Sequence, residues 1–430
     1  MSGLAIALAL AGSSAFAGDW ATFRGDAAQA GVAKDALPEK LELLWQYEMG
    51  DALGMGLVVA DGALFAAAQN GRIHALDAAN GALKWKFEQE DAFVAPAAVI
   101  DGAVYVGDDF HMMFALDGAS GKKRWGFETQ GSIHSGVQAA GAGRVLFGSD
   151  DGHLYCLNAA DGGVAWKYAA DDRVYGTPAI FEGAALFSGC DGFLHVIRLS
   201  DGARAARIPI GSPSASSVAV DAASRRAVLG THGNQVRAIE LPGASEFAAL
   251  LAKARVAAPS SAPASGPATA SNVTSSGPSS ESATAERAAA AERAFDPAEA
   301  GGMRSAWVFE ASERQFPFVS SAAIDGGIVV IGGKDKVIWG LDLAEGKPRW
   351  RTPARGRIEA SAVIAPVGEA KAPWAFVGAQ DGTMYAVALA DGRVAWQYES
   401  GASINTTAAI AGGRLYFAND AGTVFCFGVK

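Results

Sequence analysis

Short apolar runs alternate along most of the chain with breaks rich in Gly, Asp and Asn, the pattern of β-strands joined by tight turns. The runs repeat. Asn70-Gly71-Arg72-Ile73-His74-Ala75-Leu76-Asp77 leads to Gly81 and Trp85, and Asp151-Gly152-His153-Leu154-Tyr155-Cys156-Leu157-Asn158 leads to Gly162 and Trp166. Met112 to Trp125, Lys336 to Trp350 and Asp381 to Trp396 fit the same frame. Degenerate copies around Asp191-Gly192 and Gly233-Asn234 lack the closing tryptophan. A period of about 40 residues is that of a propeller blade or a solenoid unit.

Each unit divides into four stretches of strand character, for example Ala97 to Ile100, Val104 to Gly107, Met112 to Leu116 and Lys123 to Phe127. A four-stranded sheet cannot bury both faces alone, so units of this kind pack radially as blades. Outer strands near Trp85, Trp125, Trp166, Ala206, Trp307, Trp350 and Trp396 define seven blades. Three strands remain at the C-terminus, and Leu43-Leu44-Trp45-Gln46-Tyr47-Glu48 matches the missing outer one. The expected fold is therefore all-β, an eight-bladed propeller of four-stranded antiparallel blades closed by an N-terminal strand, which removes exposed sheet edges. Trp45, Trp85, Trp125, Trp166, Trp307, Trp350 and Trp396 are expected to dock against neighbouring blades, with the adjacent glycine making the turn. Asp-Gly pairs such as Asp61-Gly62, Asp101-Gly102, Asp191-Gly192 and Asp381-Gly382 are expected to form hairpin turns.

The pattern stops between Pro242 and Met303, where the chain turns Ala-, Ser- and Pro-rich. Residues 242–303 are expected to be a disordered insertion in blade five, with short helices at Glu246 to Ala254 and Glu286 to Ala294. A hairpin-tip insertion of this kind costs little loop-closure entropy. Trp307-Val308-Phe309-Glu310 should resume as the outer strand of that blade.

Composition narrows the function. The 430 residues include 53 glycines and 10 tryptophans, and the net charge of −10 offers no basic footprint for nucleic acid. Cys156, Cys190 and Cys426 are too few for a disulfide framework and lack zinc-site spacing, although a Cys156–Cys190 bridge between adjacent blades stays open. Leu4 to Ala11 is apolar and is followed by Ala15-Phe16-Ala17, so residues 1–17 are expected to be a signal peptide cut after Ala17. Residues 18–430 would then be one propeller in the periplasm or outside the cell. No other run approaches a membrane span. No G-x-S-x-G, H-E-x-x-H or P-loop occurs, and no Ser-His-Asp set can be nominated.

The repeat, with its Ala/Cys-Leu-Asp/Asn core, Gly turn and closing Trp, resembles the PQQ-binding-like β-propeller superfamily. Trp20-Ala21-Thr22-Phe23-Arg24-Gly25 is similar to the W-x-x-F-R-G lead-in of its exported members. That superfamily holds quinoprotein dehydrogenases and noncatalytic envelope scaffolds. The chain lacks the vicinal cysteines and long inter-blade loops of the former, so the resemblance points to the BamB-type scaffolds of outer-membrane protein assembly. It implies a protein partner at the envelope, a barrel-assembly complex, with Arg173 at the position of a family arginine used in that contact. Family acidic residues of the next blade are replaced by Ser212 and Ser214, and the lipid-bearing N-terminal cysteine is missing.

Aligning the blades on their tryptophans places Val94, His134, Gly176, Val319, Glu359 and Asn405 at one register facing the central channel. His134, Glu359 and Asn405 are the channel-mouth candidates for a polar ligand or cation. The preceding register, Leu53, Phe93, Ile133, Tyr175, Phe318, Ile358 and Ile404, is apolar and expected in the core. The expected protein is a monomeric noncatalytic scaffold without cofactor, metal or catalytic residue. The alternative is a PQQ-dependent dehydrogenase-like enzyme or ligand-binding propeller using that mouth.

Overall fold

The computed structural model describes residues 19–256, 286, 295–311 and 316–430. The expected signal segment and, beyond Glu286, the expected second helix of the insertion lie outside the described residues. Eight four-stranded antiparallel sheets follow one another, each with its strands in chain order from the inner to the outer edge, except the last. Blades 1 to 7 occupy residues 58–88, 98–128, 138–169, 179–209, 219–310, 323–353 and 363–399. In blade 8 the strand Glu42–Glu48 pairs antiparallel with Thr423–Gly428, Trp45 opposite Cys426. The ring is thus closed by hydrogen bonds between the two ends of the chain.

Faces of adjacent blades share apolar cores. Val58, Phe65 and Ile73 of blade 1 pack with Val99, Val104 and Leu116 of blade 2, and comparable clusters join the other blades. Six indoles reach across these seams. Nε1 of Trp45, Trp85, Trp125, Trp166, Trp307 and Trp350 donates to a carbonyl of the next blade at 2.8–3.3 Å. Each ring lies over a glycine of positive φ in that blade's third hairpin, such as Gly121 under Trp85 and Gly202 under Trp166. Trp396 has no such seat. Its neighbour is blade 8, whose outer strand arrives from the N-terminus, so the hairpin that would carry the glycine does not exist; its ring meets Phe427 edge-on at 5.2 Å instead.

Ala206 stands where the tryptophan of blade 4 would be, and the start of the insertion fills the space. Helix α1 (Ala244–Lys253) buries Phe247 and Leu251, with Glu246 capping the Gly243 N–H. Leu250 and Gly301 close over the Ala206 methyl. The outer strand Arg304–Glu310 then pairs with Gln235–Glu240 across the whole insertion.

The four Asp-Gly pairs all stand in hairpin turns, as expected, and divide into two kinds. Asp61-Gly62 and Asp101-Gly102 are tips with both residues at positive φ. In Asp191-Gly192 and Asp381-Gly382 the carboxylate instead turns inward to accept from the side chain four residues on: His195 Nε2 at 2.8 Å and the Tyr385 hydroxyl at 2.8 Å. Asp151 does the same with Tyr155 at 2.7 Å. The three cysteines are buried free thiols, so the Cys156–Cys190 bridge is not formed.

Candidate functional site

The channel end is built from the segment that leads into each inner strand. In blade 3 the Ile133 N–H donates to the Asp108 carbonyl of blade 2, which buries Ile133 and turns His134 toward the axis. The same bond, from Val174 to Ser149, sets blade 4. Val174, not Tyr175, is therefore the buried residue there, and Tyr175, not Gly176, is the counterpart of His134. The spacing to the preceding tryptophan is the same from Trp125 to His134 and from Trp166 to Tyr175, because both outer strands carry the same bulge. The small pair Gly176-Thr177 displaced the sequence alignment by one residue.

His134, Tyr175, Val319, Glu359 and Asn405 line one cavity of about 50 Å³ with Met55 and Ala215. The structure thus brings the three channel-mouth candidates together, and each is already engaged. His134 stacks on Tyr175, centroids 4.4 Å apart, with Nδ1 3.2 Å from Asp150 and Nε2 3.7 Å from Asp109. Burial, with the Asp150 carboxylate beside it, raises the Tyr175 phenol far above its usual range, so it remains a neutral donor. Lys334 meets Glu359 at 3.1 Å, and Asn405 donates to Asp420 at 2.7 Å. Burial also raises the Asp420 carboxyl. Among the described residues no cluster of three His, Cys, Asp or Glu side chains is arranged to hold a metal.

Below the mouth lies a ring that the sequence reading missed. The Gly136 N–H donates to Thr177 Oγ1, Thr177 to Ser217, Ser217 to Ser321, Ser321 to Ser361 and Ser361 to Thr407, at 2.9–3.2 Å. The Thr407 N–H closes onto the Met55 carbonyl at 2.9 Å. Each bond crosses from one blade to the next. A Ser or Thr two positions after the channel register in five blades was the available signal.

The floor is the lead-in segment. Main-chain bonds tie Trp20 to Val59, Ala21 to Val99, Ala27 to Ile180, Ala28 to Val220, Ala30 to Ile324 and Gly31 to Ile364. The segment therefore straps the inner edges of six blades at the end of the channel opposite the mouth. Phe23 fills the bore, packed so closely that a methyl at Gly56 would meet its ring at 3.0 Å.

Arg173 lies on the mouth rim. Its carbonyl is fixed by the Cys190 N–H at 3.0 Å, while its guanidinium is about half exposed, 3.8 Å from Asp172. On the same rim the hairpin of blade 2 presents Phe110, 64% exposed and stacked on His111. Ser214, by contrast, points inward, bonded to Ser188 and the Gly230 carbonyl. Burial keeps the three thiols protonated, pushing Cys156 up to about 11 and Cys190 and Cys426 up to about 12.

A family model described as outer membrane protein assembly factor BamB matches residues 37–133, 113–308 and 293–429. Among curated proteins, the chain is 32% identical over 84 residues to outer membrane protein assembly factor BamB of Yersinia pestis, 20% of this chain and 21% of that protein. It is 48% identical over 40 residues to the beta-alanine-activating enzyme of Danio rerio, 9% of this chain and 4% of that protein. The matched stretches thus span a small part of both relatives. Among solved structures, BamB from Moraxella catarrhalis superposes with a TM-score of 0.63 at 16% identity, covering 91% of this chain and 98% of that chain. Quinohemoprotein alcohol dehydrogenase from Comamonas testosteroni does so with a TM-score of 0.65 at 13% identity, covering 96% and 81%. At such identities the structural likeness concerns the fold alone. The family matches run together over residues 37–429, and on that ground the chain belongs to the outer membrane protein assembly factor BamB family of PQQ-like β-propellers.

Proposed function

We propose that this chain is a noncatalytic scaffold of the cell envelope, exported to the periplasm after removal of residues 1–17, that offers its channel-mouth rim to a protein partner in outer-membrane protein assembly. The observation that carries this reading is the size of the channel. Its cavity is about 50 Å³, whereas small-molecule and cofactor sites occupy roughly 300–1,000 Å³.

The tricyclic quinone PQQ, implied by the fold's dehydrogenase relatives, does not fit these residues. Phe23 fills the bore from below, and the His134–Tyr175 stack and the Lys334–Glu359 pair narrow it from above.

An exposed arginine and an exposed aromatic side chain are the residue types that anchor protein interfaces. Arg173 and Phe110 stand on one rim with fixed backbones, which supports that rim as the contact surface. The test is affinity capture from envelope extract with the tagged protein beginning at Gly18, quantified by mass spectrometry. Specific enrichment of the barrel-assembly subunit, falling at least about fivefold with Arg173→Glu or Phe110→Ala (each about 1 kcal/mol or more at a hot spot), is expected. A saturable rise in thermal midpoint on adding PQQ with Ca²⁺ would overturn the proposal, since only a ligand of the native state stabilises it.

A further inference from the structure

The start of the insertion forms a pocket on the outer circumference of the ring, away from the channel. It opens where α1 lies over the outer strands of blades 3 and 4, and its volume of about 410 Å³ falls within the roughly 300–1,000 Å³ of small-molecule sites. Tyr168, Arg204, Leu250, Lys253, Arg255 and Val256 line it. Three of these are cations, in a chain whose net charge is −10.

Two of the cations oppose each other. Arg204, the first residue of the blade 4 outer strand, forms an antiparallel bridge with Arg255, just beyond α1. Directly opposed residues of such a bridge carry their side chains on one face about 4.5–5.5 Å apart, where like charges are destabilising. Neighbouring carboxylates do not relieve the pair. Glu299 lies 3.6 Å from Arg204 but 2.5 Å from Arg207, which also holds Asp171 at 3.0 Å. Among the described residues Lys253 and Arg255 have no ion-pair partner. The helix dipole accounts for a cation in the last turn, and so for Lys253. It does not account for Arg255, which stands past the cap Ala254, and Arg198 already takes the Leu251 carbonyl at 2.6 Å.

The pocket floor fixes Arg204. Asp191 accepts from His195 Nε2 at 2.8 Å, so Nδ1 accepts the Tyr168 proton at 3.1 Å and the phenol oxygen faces Arg204 as an acceptor. Burial raises that phenol to about 12 against the pull of Arg204, so it stays neutral. A Tyr–His pair also joins blades 8 and 1, Tyr47 to His74 at 3.1 Å, but there Leu83 stands in the place of Arg204. The cations, not the relay, are what this seam adds.

We propose that the pocket binds the phosphate group of a small phosphate monoester, seated between the Arg204 and Arg255 guanidinia with Lys253 as a third contact. A dianion answers the surplus of positive charge, and guanidinium forks match its oxygens. Leu250 and Val256 offer apolar surface to the carbon atoms of the ester. The site lies outside the channel and is independent of the mouth rim and of any protein bound there. A soluble ester and the headgroup of an anionic lipid present the same chemistry.

Calorimetric titration of the protein with glycerol 3-phosphate in phosphate-free buffer, beside sedimentation with phosphatidylcholine vesicles carrying phosphatidic acid, tests the proposal and separates the two sources. Saturable binding of the soluble ester with a dissociation constant below about 1 mM would assign a soluble ligand, and binding to the vesicles alone a lipid headgroup. No binding of either probe would overturn the proposal. Arg255→Glu distinguishes a ligand contact from a structural one, because it turns a like-charge pair into an opposite one. Its thermal midpoint without ligand should hold or rise, while its affinity for the bound probe falls at least about tenfold. Unchanged affinity would overturn the site, and so would a clear fall in the ligand-free midpoint, which would make Arg255 part of the fold.

Discussion

The indole of Trp125 lies so close over Gly162 of the next blade that a methyl there would sit 2.8 Å from Cε3, while Nε1 donates to the Ala159 carbonyl at 2.9 Å. One side chain thus fixes both the spacing and the rotation of two blades. The contact also explains the repeat: the tryptophan and the glycine lie in different sheets and recur together because neither functions without the other.

Gly162→Ala should therefore cost more than its backbone strain. Gly143 supplies the comparison, with φ of 67° against 75° at Gly162 but nothing within 4 Å of an added methyl. Both alanine variants carry the left-handed penalty of about 1 kcal/mol. Gly162→Ala adds displacement of the Trp125 ring, about 1–3 kcal/mol more. Urea denaturation of the two variants measures the difference, and equal midpoints would mean that the indole moves aside freely.

Acid sensitivity should follow Asp151. Burial pushes its carboxyl up, but His153, the Tyr155 hydroxyl and the Gln130 N–H all favour the anion and bring it down to about 2. A native-state value below the unfolded one stabilises the fold above pH ~4, and that contribution is lost as pH falls toward 2. Its size is about 1–2 kcal/mol. Asp151→Asn should lower the urea midpoint at pH 6 and flatten its decline between pH 5 and 3. An unchanged slope would show that other carboxylates govern acid unfolding.

Blade number, strand order and closure were legible because they depend on recurrence: a period of about 40 residues and a Trp45 strand matching the Trp85 and Trp396 strands need no knowledge of packing. The channel was legible to within one residue. His134, Glu359 and Asn405 share the cavity, but the small pair Gly176-Thr177 shifts the apparent register of blade 4 by one residue, so that Tyr175 falls in the apolar row in place of Val174. Phe23 and Arg24 could not be placed. Their segment bonds to six blades through main-chain groups, and main-chain bonding leaves no periodic trace in side-chain types.

Phe23→Ala should open the floor of the channel. The ring packs against Gly56 and its Cβ against Gly136, positions that have no Cβ with which to fill the gap. Removing a buried phenylalanine costs about 3–5 kcal/mol where the site cannot collapse. Hydrogen exchange provides a local readout: the Thr177 and Ser217 amides, which donate around the ring, should lose protection relative to amides in outer strands. Protection lost evenly across the blades would place the effect in global stability alone.

Restoring the repeat where it is broken should destabilise the protein. Ala206 occupies the tryptophan position of blade 4, and sequence regularity alone would favour Ala206→Trp. In blade 5, however, the hairpin that carries the seating glycine is replaced by the insertion, whose Leu250 and Gly301 already close over the Ala206 methyl; a methyl on Gly301 would lie 2.9 Å from it. An indole must expel α1 or distort the seam, and overpacking of this kind costs about 1–3 kcal/mol or more. Urea denaturation of Ala206→Trp, paired with proteolysis near Lys253 to detect release of the helix, decides the matter. A higher midpoint with unchanged cleavage would mean that the seam accepts the indole and that the insertion merely covers a vacant seat.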